Sequence, residues 1–235
     1  MAKRAASAYM TTLERILGGV HFCIYLLVLP FVTGPLFALL ERLLGSRSPD
    51  NVQHMIYYSV LFAVTGVRFW NSLGRTTGYF LSAPWRTVGT ALVGLVAFYG
   101  LNELAYRLLG LVLDGMTNLN DVAISAQVRD APRSTALIVV FLAPFVEEVL
   151  FRGYVFGNLR DHSRWAAYAT SCLLFALLHV WQFAVVEQNL QYFLLMLQYL
   201  VPGLVLAWTY ERSGTLWSSV MLHAFVNAMA IGRFL

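Results

Sequence analysis

The sequence predicts an all-α membrane protein, a polytopic transmembrane helical bundle of about seven to eight spans. Of its 235 residues, 59% are hydrophobic and only 12% are charged, whereas about a quarter of the residues in a soluble domain carry a charge. Apolar stretches of roughly 20 residues, the length that crosses a bilayer as a helix, follow one another along the chain. They leave no room for a separate soluble domain, so residues 1–235 are expected to form one integral membrane domain.

Seven apolar windows are predicted to cross the membrane, and a further or re-entrant segment would make eight. They cover residues 16–40, 54–73, 87–110, 135–156, 165–186, 190–210 and 215–233. The first window is too long for the core of a signal peptide, so we expect it to be retained as a span. Pro30 and Pro35 are expected to kink it or divide it into two half-helices. The longest polar connection, residues 111–134, is a candidate for an interfacial helix.

The distribution of basic residues predicts a cytoplasmic N-terminus. With seven spans, the N-terminal side of the bundle carries Lys3, Arg4, Arg15, Arg68, Arg75, Arg86, Arg160, Arg164 and Arg212. The other side carries Arg42, Arg47, Arg107, Arg129, Arg133 and Arg233. Cytoplasmic loops are enriched in Lys and Arg, which favours the first side. These residues lie in short connections and form no basic patch, so nucleic-acid binding is not expected.

Three charged residues interrupt the apolar segment "FVEEVLFR" at 145–152. A charge at the centre of a bilayer costs about 3 kcal/mol or more, so Glu147, Glu148 and Arg152 must face a protein interior or a wet cavity. Glu148 and Arg152 are four residues apart, which favours an ion pair on one helix face. Glu147 is rotated by about 100° from Glu148 and is left outside that pair. The spacing therefore predicts one structural and one free glutamate.

Two later windows also carry polar residues that are expected to face inward. His179 ends the motif "FALLH", and His223 and Asn227 lie one turn apart in "HAFVN". Counted from the arginine-rich ends of their helices at 1.5 Å per residue, Glu147, His179 and His223 lie ~13, ~21 and ~12 Å deep. Helix tilt can bring these depths together, so the groups are expected to meet below the membrane surface. The other polar residues in apolar surroundings are assigned to packing or segment ends: His21, Asn102, Glu103 and Gln198.

Such a group of side chains is suited to amide hydrolysis by water. A carboxylate and an imidazole that hold the same water make it a usable nucleophile. A His–Asn pair on another helix can donate hydrogen bonds to the negative oxygen that develops on an attacked carbonyl. The chain has no GxSxG motif for a serine nucleophile.

These motifs resemble those of the CPBP (ABI) family. "EEVLFR" at 147–152 matches EExxxR, "FALLH" at 175–179 matches FxxxH, and "HAFVN" at 223–227 matches HxxxN, in the family's order and spacing. The family comprises type II CAAX prenyl endopeptidases and bacteriocin-processing or immunity relatives. The resemblance covers about residues 135–232, which would form the catalytic core, and the first half of the chain carries no matching motif.

The resemblance implies an intramembrane glutamic endopeptidase, a CAAX protease-like hydrolase without a cofactor or metal. Glu147 and His179 would activate the water, and His223 and Asn227 would form the oxyanion hole. The supporting residues would be Glu148, Arg152 and Phe175.

Three alternatives remain open from the sequence. In a zinc protease, Glu147, His179 and His223 would be the ligands, although no HExxH motif is present. A non-catalytic immunity or scaffold protein would keep the fold, and a proton-coupled carrier would use the Glu and His residues as a relay.

The expected partners are the lipid bilayer and a membrane-embedded or lipidated peptide or protein substrate. The compact chain resembles prokaryotic relatives, which predicts a multi-pass protein of a prokaryotic inner membrane. The sequence does not predict an oligomeric state or show whether the substrate is prenylated.

Overall fold

A computed structural model describes residues 10–110 and 117–233, apart from the side chain at position 109. All regular structure in this part of the chain is helical, which confirms the predicted all-α fold. Lys3, Arg4 and residues 111–116 lie outside the described ranges. The α-helices are α1 (Thr12–Cys23), α2 (Leu29–Leu44), α3 (Asp50–Arg68), α4 (Trp70–Ser82), α5 (Pro84–Gly110), α6 (Leu119–Asp130), α7 (Pro132–Leu137), α8 (Ala143–Glu148), α9 (Gly157–Arg160), α10 (Arg164–Leu178), α11 (Trp181–Val186), α12 (Met196–Ser213) and α13 (Leu216–Ile231).

Within residues 10–110 and 117–233, four continuous helical segments are long and apolar enough to cross a membrane. They are Thr12–Leu44, Pro84–Leu108, Pro132–Arg160 and Leu190–Ser213, and α10 and α13 are shorter apolar helices. The predicted window 54–73 coincides with α3 and the start of α4. The protein is therefore an integral membrane protein, and most of its long helices coincide with predicted windows.

Wide π-helical turns interrupt the first span and the span Pro132–Arg160. In the first, the Leu29 amide bonds the Ile24 carbonyl, and Pro30 follows directly. The turn Ile138–Leu142 has the same arrangement before Pro144. Proline has no N–H for the carbonyl four residues earlier, so the α-helical bonding pattern must change at these points. The first span is thus locally widened at Pro30 but not divided, and α2 continues through Pro35.

The predicted window 165–186 is not one helix. Its first helix, α10, ends at Leu178, and the amide of His179 bonds the Ala176 carbonyl in a tightened last turn. The short helix α11 and a 3₁₀ turn at Leu190–Leu195 then lead into α12. His179 therefore lies at a helix end and not inside a span.

The span Pro132–Arg160 occupies the centre of the bundle. In its most apolar 18-residue window, 61% of the residues are buried, against 11% in the first span. It packs against α10 and α13, while α5 packs against α12 and α13. The motif residues 147–152 therefore lie in the most enclosed segment of the described chain.

One end of the bundle carries a connected cluster of arginines, which we call the arginine face. Arg86 donates to the Arg212 carbonyl, and Arg160 and Arg164 both contact Glu211. The N-terminal half reaches the same end, since Thr76 of α4 bonds Thr215 at the start of α13. These contacts bring together four of the basic positions that were assigned to one side from the sequence.

Candidate active site

Glu148 and Arg152 form the buried ion pair that their spacing predicts. Both side chains are 0% exposed, and Arg152 Nη1 lies 3.1 Å from Glu148 Oε1. Arg152 Nη2 donates a 3.2 Å hydrogen bond to the Gly203 carbonyl of α12. The guanidinium also lies 4.3 Å above the centre of the Phe175 ring of α10. This pair therefore ties the central span to two neighbouring helices.

His223 of α13 lies between the two glutamates. Its Nδ1 is 2.9 Å from Glu148 Oε1, and its Nε2 is 3.8 Å from Glu147 Oε2. A carboxylate paired with a guanidinium only accepts hydrogen bonds, so Nδ1 carries the hydrogen and donates it to Glu148. The Glu148–His223 contact joins residues 75 positions apart and was not predicted from the sequence.

Glu147 has a carboxylate oxygen that is not engaged by the described residues. The residue is 8% exposed, and its Oε2 accepts no hydrogen bond from any of them. As predicted, the Glu148–Arg152 pair does not include Glu147, which leaves one buried oxygen of Glu147 available to accept a hydrogen bond.

His179 is held by its own helix. Its Nδ1 lies 2.8 Å from the Phe175 carbonyl, so this nitrogen donates and Nε2 is the acceptor of the neutral ring. Phe175 is 2% exposed and has its ring centre 4.7 Å from that of His179 and 5.8 Å from that of His223. Phe175 thus separates the two imidazoles and also supports Arg152, which accounts physically for an aromatic residue at this position.

Asn227 follows His223 by one turn of α13, as the spacing predicts. Its Nδ2 donates a 2.8 Å hydrogen bond to the Val139 carbonyl in the π-helical turn Ile138–Leu142. An amide nitrogen has two hydrogens, so one remains for another acceptor.

His179, His223 and Asn227 line a single cavity of about 510 Å³. Glu147 does not line it, and within the described residues no hydrogen bond or ion pair joins Glu147 to His179. His223 is therefore the residue that connects Glu147 to the cavity.

The far end of this cavity is polar. Polar and charged side chains there come from four different helices or their ends: Asn102, Asn118, Asp121, Gln198 and Arg233. Asn102 and Gln198, which were assigned to packing or segment ends, line this cavity, and Gln198 also accepts a hydrogen bond from Asn118. The contributing parts of α5, α12 and α13 lie away from Arg86, Arg212 and Thr215. The cavity consequently occupies the half of the bundle opposite the arginine face.

The ligand set of the zinc alternative is not assembled in the described residues. No three His, Cys, Asp or Glu side chains there are grouped so that they could hold a metal ion. Glu147 approaches only His223 of the two histidines, and that histidine already donates to Glu148.

Comparison with known proteins finds a family similarity in the C-terminal half of the chain. The model of the family "Type II CAAX prenyl endopeptidase Rce1-like" matches residues 130–229, which include all three motifs. The UPF0177 protein YxdF of Lactococcus lactis subsp. lactis is 30% identical over 90 residues. This match covers 38% of the present chain and 44% of YxdF, so it spans less than half of either protein. No solved structure matches the chain. Residues 130–229 are thus similar to the Rce1-like family of type II CAAX prenyl endopeptidases.

Proposed function

We propose that the protein is an intramembrane glutamic endopeptidase. It would hydrolyse a peptide bond in a membrane-associated or lipidated peptide or protein, as in CAAX-type processing. The main support is the buried Glu147 carboxylate, whose free oxygen lies 3.8 Å from a histidine that shares a cavity with His179 and Asn227. The family match over residues 130–229 supports the same class of enzyme.

Glu147 and His179 are proposed to activate the attacking water. His179 directs its Nδ1 hydrogen to the Phe175 carbonyl, so its Nε2 can accept a hydrogen bond from the water. The proposal requires one water to contact both Nε2 and the free oxygen of Glu147. As this water attacks the peptide carbonyl, Glu147 takes its proton, a C–O bond forms and the carbonyl oxygen becomes negative. Glu147 later delivers the proton to the leaving amine as the C–N bond breaks.

His223 and Asn227 are proposed to stabilise the negative oxygen. Asn227 retains one amide hydrogen beside its bond to Val139. His223 can donate only from Nε2, because its Nδ1 hydrogen is directed to Glu148. This donation requires hydrogens on both ring nitrogens of His223, and Arg152 would balance the charge of Glu148 beside it. Glu148, Arg152 and Phe175 would thus fix the orientation and charge of His223 without contacting the substrate.

The test of this proposal is cleavage by the purified protein in liposomes. Suitable probes are a farnesylated CAAX-type peptide, its unprenylated counterpart and a peptide anchored by one transmembrane helix. Wild type should cleave at least one probe, and Glu147→Ala should lower the rate by about a hundred-fold or more, since it removes a general base. Glu103→Gln changes an exposed carboxylate paired with Arg107 and should leave the rate unchanged.

Two results would contradict the proposal. Cleavage retained by Glu147→Ala would remove the catalytic assignment of this residue. Activity that is lost on chelation and restored by stoichiometric zinc would replace the proposed mechanism with that of a zinc protease.

A further inference from the structure

The imidazole of His179 contacts two aromatic rings. The Phe175 ring is tilted by 54° to it, with ring centres 4.7 Å apart. The Tyr199 ring of α12 stacks on the imidazole at 4.3 Å, with an angle of only 24° between the ring planes. The hydrogen bond that Nδ1 donates to the Phe175 carbonyl fixes one point of the imidazole, and the stacked Tyr199 restricts rotation of the imidazole about that point.

Tyr199 is in turn held by the start of helix α6. Its phenol oxygen accepts hydrogen bonds from Asn118 Nδ2 at 2.8 Å and from Asn120 Nδ2 at 3.3 Å. Asn118 also caps α6, because its Oδ1 accepts a 3.1 Å hydrogen bond from the backbone N–H of Asn120. Its Nδ2 donates a 2.8 Å hydrogen bond to Gln198 Oε1. Hydrogen bonds at the polar end of the cavity therefore hold the Tyr199 ring in addition to packing.

We propose that Tyr199 is a positioning residue for the reaction, and that its ring keeps Nε2 of His179 directed at the water. This inference rests on the proposed function, because it assigns a task to His179. Tyr199 lies outside the three sequence motifs and acts through the histidine.

The direction of Nε2 matters most while the water attacks. As Glu147 takes the proton of the water, an imidazole that has turned away no longer holds the water oxygen in line with the peptide carbonyl. Loss of the Tyr199 ring should therefore affect the chemical step more than substrate binding.

The test compares kcat and KM for the liposome probe that wild type cleaves. Tyr199→Leu removes the ring and should lower kcat about 10- to 100-fold, with KM changed by less than about two-fold. Tyr199→Phe keeps the ring face and should restore kcat to within about three-fold of wild type. The matched control is Tyr192→Leu, which removes an aromatic ring from the same small hydrophobic cluster but leaves the His179 stack intact. Thermal unfolding in detergent checks that each variant is folded.

Two outcomes would overturn the inference. A folded Tyr199→Leu protein with wild-type kcat, or a Tyr199→Phe protein as slow as Tyr199→Leu, would show that the ring face does not position His179. Failure of the proposed function gives a different result, because wild type then cleaves none of the probes or Glu147→Ala remains active.

Discussion

Arg152 and Arg107 make the same kind of ion pair in opposite surroundings. Each pairs with a glutamate four residues earlier in its helix, at 3.1 Å for Arg152 and 2.7 Å for Arg107. The Glu148–Arg152 side chains are fully buried, whereas those of Glu103 and Arg107 are 59% and 75% exposed. Removal of one partner leaves an uncompensated charge only in the buried pair. The two arginines therefore allow a matched measurement of burial.

We expect Arg152→Met to destabilise the protein by about 3–5 kcal/mol, because Glu148 would remain buried without its cation. Arg107→Met should cost less than about 1 kcal/mol, as is usual for an exposed pair. Unfolding in detergent measures both changes. Addition of Glu148→Gln to Arg152→Met should recover part of the loss. Equal destabilisation by the two arginine variants would show that burial does not govern this pair.

At the residue scale, local spacing predicted the Glu148–Arg152 pair correctly, because both residues share one helix face. It could not predict that Glu148 also receives Nδ1 of His223, since that contact depends on how α13 packs against the central span. The same holds for Tyr199 and Asn118, which carry no motif and meet His179 only through the arrangement of α6 and α12. The contacts within one helical turn were predictable, whereas these individual hydrogen bonds and ring contacts between spans were not.

Among the elements, α5 approaches α12 and α13 closely at Gly94. A Cβ added at Gly94 would lie 2.5 Å from Thr209 Oγ1 and 2.8 Å from Leu222 Cδ2. Thr209 is fully buried and its hydroxyl bonds the Val205 carbonyl, so it has little room to move. Glycine at this position thus sets the contact of α5 with α12 and α13.

Gly94→Ala should destabilise the protein by about 1–3 kcal/mol through overpacking. Gly100→Ala is the matched control in the same helix, because a Cβ there meets no atom within 4 Å. Alanine favours helix over glycine, so this control should be neutral or stabilising by up to about 1 kcal/mol. Thermal unfolding of the two variants in one detergent gives the comparison, and a stable Gly94→Ala protein would show that α5 can shift.

Element positions followed from hydropathy, but element interruptions did not. The apolar windows located the spans because length and composition decide which segments enter a bilayer. The break after α10 was missed because "FALLHVWQFAVV" contains no Pro or Gly at residues 175–186. The π-helical segment Val149–Phe156 overlaps the end of the first motif, and it likewise contains no proline that would have indicated a change in the helix.

On the scale of the whole molecule, the cavity and the arginine face lie in opposite halves of the bundle. We propose, as the sequence predicts, that the arginine face is cytoplasmic. The polar end of the cavity, with Asn118 and Arg233, would then face the other side of the membrane.

Cysteine labelling in intact cells tests this orientation. The native Cys23 and Cys172 are first replaced, since Cys23 is exposed on the protein surface. A cysteine at Asn51, near the start of α3, should react with a membrane-impermeant maleimide from outside. A cysteine at Asp161, beside the arginine face, should react only after permeabilisation. If the cysteine at position 161 reacted from outside and the one at position 51 only after permeabilisation, the polar end of the cavity would face the cytoplasm.

The complete burial of the Glu148–Arg152 pair has a consequence for how the surroundings affect the site. Dissolved ions screen charges that they can approach to within a Debye length, and much less those enclosed by protein. The arginine face is exposed to such screening, since the Arg164 side chain is 60% exposed. Ionic strength should therefore weaken the charge interactions of this face, while the field of the buried pair at the candidate site stays almost constant.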